Sequence, residues 1–185
     1  MPARKRSPAT SRSRPPSATP MGRVELLLED IRSAHNVGSI LRTADAVRAE
    51  HVYLAGVSAS GDHLGVRKTA LGAEATVPWT RVSDAADTAR QAKKRGMTLL
   101  ALEHTDVSIP LDALDASIFP VCLLVGNEVD GLSEALIGLA DRAVEIPQYG
   151  AKQSLNVAVA SGIALYALLA TYLGRDLPGD RQRVG

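Results

Sequence analysis

Five apolar runs of strand length, separated by stretches of helical spacing, constrain this chain more than any other feature. Val24 to Leu28, His51 to Val57, Met97 to Leu102, Val121 to Val125 and Ala143 to Ile146 are short and rich in Val, Leu, Ile and Ala. Between them, Val37 to Val47, Ser83 to Lys94 and Ser133 to Leu139 carry helical periodicity, and Ser154 to Tyr172 predicts a long, largely buried helix. Ser83 with Asp84 offers a helix cap, and Ala75 to Val77 predicts one more short strand. Apolar strands that alternate with helices predict an α/β fold, a mostly parallel sheet with helices on both faces.

With 185 residues and 45% hydrophobic content, the chain predicts a single core with tails rather than two full domains. Residues 1–20 hold five prolines and Arg4, Lys5, Arg6, Arg12 and Arg14 with no acid, a formal charge of +5, which leaves the body at −4. Such a segment buries too little apolar surface to offset chain entropy. The expected organisation is a disordered basic arm over 1–20, an ordered domain over 21–173 and a flexible C-terminal tail over 174–185. A basic arm on a mildly acidic body suits a polyanionic partner. The lone Cys122, inside an apolar run, reads as a core residue in a reducing, cytoplasmic compartment. No stretch has the length and apolarity of a membrane span, and the first residues show no hydrophobic signal core, so no membrane is expected. No metal is expected either, because His35, His51, His63 and His104 lack ligand spacing and no second cysteine exists. Trp79 reads as a packing residue.

In sheets of this class ligands lie beyond the carboxyl ends of the strands. Three loops there are rich in Gly, Asn, Ser and Glu. The first, Asn36-Val37-Gly38-Ser39-Ile40-Leu41-Arg42, puts Asn36 at a cap position and Arg42, a permanent fork of donors for phosphate or carboxylate, inside the helix. The second, Gly126-Asn127-Glu128-Val129-Asp130-Gly131, leaves a buried strand through a glycine-bracketed turn in which bare backbone could face a ligand. It is not a phosphate loop, since Leu132 stands where that motif needs lysine, and no G-x-G-x-x-G follows the first strand. The third runs from Ile146 through Gln148 to Ser154-Leu155-Asn156 at the start of the last helix, where a serine cap is the plainest reading.

Together these segments resemble the three motifs of the SpoU, or TrmH, family of RNA 2′-O-methyltransferases in the SPOUT superfamily. The likeness spans about residues 22 to 173, with Asn36 and Arg42 matching the first motif, Gly126 and Glu128 the second, and Ser154 and Asn156 the third. Lys68 to Glu74 is similar to the segment between the family's second and third strands. Val129-Asp130 and Gln148 depart from the common pattern, which has glycine after the Glu and Met at the latter position. The resemblance implies a C-terminal trefoil knot and a homodimer with its active site near the subunit boundary. It further implies S-adenosylmethionine as cofactor, held near Leu102, Glu103, Gly126, Ile146, Gln148, Ser154 and Leu155.

The implied reaction is methyl transfer to a ribose 2′-hydroxyl of tRNA or rRNA. The catalytic residues by this likeness are Arg42, Asn36, Glu128, Ser154 and Asn156. Arg42 is expected to clamp phosphate and steady the developing alkoxide rather than act as a base, because a guanidinium stays protonated. Asn36, Glu128, Ser154 and Asn156 are expected to orient Arg42, the ribose and the loop backbones. Two rivals stand beside this reading: a nucleotide- or NAD-binding Rossmann-like enzyme, and a non-catalytic RNA-binding protein on the same fold.

Overall fold

The structure is a computed structural model, and it describes residues 24–151 and 154–174. The basic arm and all but the first residue of the expected C-terminal tail lie outside the described residues. Seven strands form one sheet: β1 (Val24–Glu29), β2 (His51–Ala55), β3 (Trp79–Val82), β4 (Thr98–Leu102), β5 (Ile109–Pro110), β6 (Val121–Val125) and β7 (Arg142–Glu145). Their order is β3-β2-β1-β6-β4-β7-β5, and every pairing is parallel.

Alternation along the strands splits the core in two. Val24, Leu26, Leu28, Leu100, Leu123 and Val125 point to one face, where α1 (Ala34–Val47), α2 (Leu64–Ala70) and α5 (Val157–Tyr172) cover them. Leu27, Leu99, Ala101, Cys122 and Leu124 point to the other, beneath α3 (Ala85–Lys94) and α4 (Glu134–Leu139). Burial of Cys122 pushes its thiol up to about 12, which suits a packing role. The expected helices on both faces are present.

Two local expectations are corrected. Ala75 to Val77 is not a strand: residues 73–75 form a single 3-10 turn, and the strand begins only after Pro78, at Trp79. The proline has no N–H to donate, so pairing with β2 starts at its carbonyl, which accepts from Val52 N at 3.0 Å. Helix α2 was not foreseen. Its seven residues present one buried Val66 and one buried Ala70 to the core, too few for a periodic signal. Its close seat on α1 depends on Gly38, where a Cβ would overlap Thr69 Oγ1 and Val66 O. Trp79 packs against the core as expected, half-buried, with its indole N–H donating to Glu74 O at 3.0 Å.

Candidate active site

β1 and β6 are neighbours in the sheet, yet β1 leads to α1 on one face and β6 to α4 on the other. Their loops therefore diverge and leave a crevice at the carboxyl edge, where ligands bind in open α/β sheets. Asp30 ties this edge together. Its backbone takes a left-handed φ of 55°, its carbonyl accepts from Asn127 Nδ2 at 2.9 Å, and its Oδ1 accepts from Val57 N at 2.8 Å. Loops after β1, β2 and β6 thus share one anchor.

Within the second loop Asn127, buried, does the folding. Its Oδ1 accepts from Val129 N at 2.8 Å and Asp130 N at 3.1 Å, and its backbone pairs in both directions with Gly131. Gly126 sits against this turn so closely that a Cβ would overlap the backbone of Gly131 and Leu132. The space beside its Cα is thus filled by its own loop, which is a reason for glycine at this position. Glu103, at the end of β4, likewise spends its carboxylate on structure, accepting from Leu132 N at 3.0 Å and His104 N at 3.2 Å. Ser133 caps α4 and is held by Glu29.

The three loops meet at Asn36, which lies in the first turn of α1 rather than at its cap; Ser33 is the cap. Asn36 Nδ2 donates to Glu128 Oε1 at 2.5 Å, and Asn36 Oδ1 accepts from Asn156 Nδ2 at 3.2 Å. Asn156 is also the cap of α5, its Oδ1 accepting from Ala158 N and Val159 N. The serine-cap expectation for Ser154 is therefore corrected; Ser154 is exposed, two residues upstream. One residue from each motif thus joins a single hydrogen-bonded row, Asn156, Asn36, Glu128. Beside Glu128, Arg32 forms an exposed pair with Asp130 at 3.4 Å.

Arg42 stands apart from that row. Six residues beyond Asn36, it is turned by roughly 120° about the helix and displaced by about 9 Å along it. It is exposed, with no hydrogen bond or ion pair to any described residue. The expected orientation of Arg42 by Asn36 and Glu128 does not occur within one chain.

Leu102 and Ile146 end β4 and follow β7, adjacent strands, and both pack on the core while staying partly open. Gln148, Ser154 and Leu155 are exposed beyond them. A cavity of about 530 Å³ lies elsewhere, on the α4 face between Ala101, Ile109, Ile137 and Ala143. It touches none of the motif residues. Among the described residues no cluster of His, Cys, Asp or Glu could hold a metal ion, and no helix is long and apolar enough to cross a membrane.

The family model described as "SpoU rRNA Methylase family" matches residues 23–166, the stretch that carries all three loops. The chain belongs to that family. Among curated relatives, the Escherichia coli K12 tRNA (guanosine(18)-2'-O)-methyltransferase is 33% identical over 142 residues, 75% of this chain and 59% of the relative. The Neisseria meningitidis 23S rRNA (guanosine-2'-O-)-methyltransferase RlmB is 34% identical over 141 residues, 76% of this chain and 55% of its own length. The chain thus spans less than two thirds of these relatives. Among solved structures, the SpoU methyltransferase AviRb from Streptomyces viridochromogenes, in complex with AdoMet, superposes with a TM-score of 0.76 at 28% identity, over 83% of this chain and 62% of that one. The Aquifex aeolicus TrmH/SpoU tRNA modifying enzyme gives 0.74 at 29% identity, over 83% and 77%.

The sequence singled out Asn36, Glu128 and Asn156, and these meet. It missed Asp30 and Asn127, which shape the loops, and it placed Glu103 only as a cofactor neighbour through the family resemblance, not as the residue that holds the second loop. An Asn followed by Gly four positions later is an available turn signal for Asn127. Asp30 shows only as an acid just past an apolar run.

Proposed function

We propose that this SpoU family member methylates a ribose 2′-hydroxyl of tRNA or rRNA with S-adenosylmethionine as methyl donor. The observation that carries the reading is the row Asn156, Asn36, Glu128, in which one residue of each family motif meets the others at the sheet's switch point. The relatives' names supply the reaction and the RNA class, and the AdoMet complex of AviRb supports the donor.

The residues present fit that donor. Leu102 and Ile146 offer a partly open apolar floor where β4 and β7 end side by side, and Glu103 and Gly126 hold the adjoining loop backbones in place. Gln148, Ser154 and Leu155 would close the same edge from the third loop. When bound there, S-adenosylmethionine supplies an electrophilic methyl group on a sulfonium centre. The chain's part is to align the 2′-oxygen and to handle the proton it loses. The Asn36 amide, fixed at both ends, holds the two loops at a set spacing and so orients the ribose between them. Arg42 neutralises the neighbouring phosphate and the alkoxide as it forms, while phosphate or water accepts the proton.

The reading extends to a homodimer. Helix α5 is apolar around its whole circumference, with Val157, Ala164, Leu165 and Leu168 buried but Val159, Ile163 and Tyr166 exposed by 52%, 41% and 53%. A helix that is apolar all round is one that is buried all round. A second subunit covering α5 would also explain how outward-facing Arg42 reaches an active site, namely one completed across the boundary. A C-terminal trefoil knot belongs to the same proposal, supported by family membership and by the crossing order of β4 to β7. The cytoplasm, where a lone buried thiol stays reduced, is the proposed place of work.

Calorimetric titration with S-adenosylhomocysteine and with NAD, followed by a methylation assay on bulk RNA, tests the reading. Binding of the former alone, with methyl transfer, is expected. Binding of NAD alone would replace this function with the oxidoreductase, and donor binding without transfer would leave an RNA-binding protein.

A further inference from the structure

The chain has six aromatic residues of the Phe, Tyr and Trp types, all within the described residues. Four pack against other side chains, and one lies on the α5 surface assigned above to a second subunit. Phe119 and Tyr172 meet edge to face with ring centroids 5.4 Å apart, beside the amino end of β6. Tyr53 stacks on His51 in β2, Trp79 opens β3 against the core, and Tyr166 lies midway along α5. The sixth, Tyr149, is 98% exposed and makes no hydrogen bond with any described residue. It stands four residues past the end of β7, so no more than about 14 Å of chain separates it from the carboxyl edge. Its loop ends in Asn156, a member of the row that joins the motifs.

A fully exposed aromatic ring is costly to leave in water, and at this place the cost has a use. Single-stranded and looped RNA is recognised by splaying bases out of their own stack and offering them aromatic faces instead. The second loop offers only Val129, 83% exposed, which has no π face. We infer that Tyr149 is the stacking platform for a base of the substrate RNA next to the reacting ribose. The inference rests on the proposed RNA methyltransferase activity, and it adds a positioning residue that the motif resemblance does not contain. A ring that stacks carries no charge, so its contribution is independent of salt, unlike phosphate contacts.

The test uses the full chain, total RNA from cells lacking the gene, and the variants Tyr149→Ala and Tyr149→Phe. Tyr149→Ala is expected to raise KM for RNA by about tenfold, within the range for losing one base stack. Affinity for S-adenosylhomocysteine, oligomeric mass and the salt slope of RNA binding should stay at wild-type values. Tyr149→Phe should restore KM to within about twofold. An unchanged KM in Tyr149→Ala overturns the inference, as does a Phe variant as poor as Ala, which would make the hydroxyl the working group. Lost cofactor affinity would place the ring in the donor pocket, and altered mass would place it in a subunit interface; both also overturn it. RNA binding followed by fluorescence anisotropy separates this test from the function itself. A wild-type protein that binds RNA without methylating ribose contradicts the activity, while the Ala variant's binding still decides the role of Tyr149.

Discussion

Asn36 donates its amide N–H to Glu128 at 2.5 Å and receives the Asn156 amide N–H at 3.2 Å. A carboxylate can only accept, so Glu128 fixes which end of the Asn36 amide points toward it. That in turn leaves the Asn36 oxygen free to accept from Asn156. Residues 92 and 120 positions apart are thereby locked in one orientation, and each comes from a different motif.

Asn156 has two duties that can be separated. Its Oδ1 caps α5 and its Nδ2 serves Asn36. Asn156→Asp keeps a capping oxygen but sets a carboxylate against the Asn36 oxygen. Thermal stability should hold within about 1 kcal/mol, while methylation should fall at least tenfold. Asn156→Ala should lose both. A fully active Asp variant, assayed beside its melting curve, would make the row a mere structural clasp.

Gly126→Val tests the second loop. Because the loop's own backbone occupies the space beside Gly126, the variant should destabilise the fold by roughly 2 kcal/mol or more as well as weaken donor binding. A variant with unchanged chemical denaturation and only weaker S-adenosylhomocysteine binding would instead put a ligand in that space.

Ser161 is buried on α5 and its hydroxyl has no hydrogen-bond partner among the described residues. An unpaired buried hydroxyl costs about 1–3 kcal/mol. Ser161→Ala should therefore raise the melting temperature by a few degrees or leave it unchanged. A loss of several degrees would show that the hydroxyl has a partner in the working protein.

Asp141 links α3 to the sheet. Partial desolvation favours its neutral form, but the Lys93 ammonium at 2.7 Å and the Leu99 N–H at 2.9 Å outweigh that and hold its carboxyl below the usual range. A depressed folded-state pKa contributes stability above the unfolded value, about 3.9, and that stability is lost as pH falls through the folded value. The wild type should out-melt Asp141→Asn at pH 7, and the gap should close with acidification toward pH 2. A gap independent of pH would mean that the charge does not matter.

Strand runs such as Val121 to Val125 were legible because a strand buried on both faces is apolar at every position. β3 was not, since Thr80 and Arg81 are exposed at the sheet's outer side and only Trp79 and Val82 touch the core. Of the site, Asn36, Glu128 and Asn156 were recognisable as motif members, but their mutual contact depends on β1 and β6 becoming neighbours, which spacing alone does not encode. Arg42 was expected to join them. Helical phase forbids that within one chain, and a second subunit is the remedy proposed above.

Single-turnover methylation by the wild type and by Arg42→Ala, with labelled donor and total RNA from cells lacking the gene, bears most directly on the mechanism. Alkali cleaves RNA only where a 2′-hydroxyl is free, so a ribose-methylated product leaves label in alkali-stable dinucleotides. The expected result is that the wild type yields such dinucleotides, while Arg42→Ala is slower by about a hundredfold or more. Melting temperature and S-adenosylhomocysteine affinity should be unchanged in the variant, because Arg42 has no partner among the described residues. Label in mononucleotides would contradict ribose methylation, and an Arg42→Ala variant as fast as the wild type would contradict the role given to Arg42.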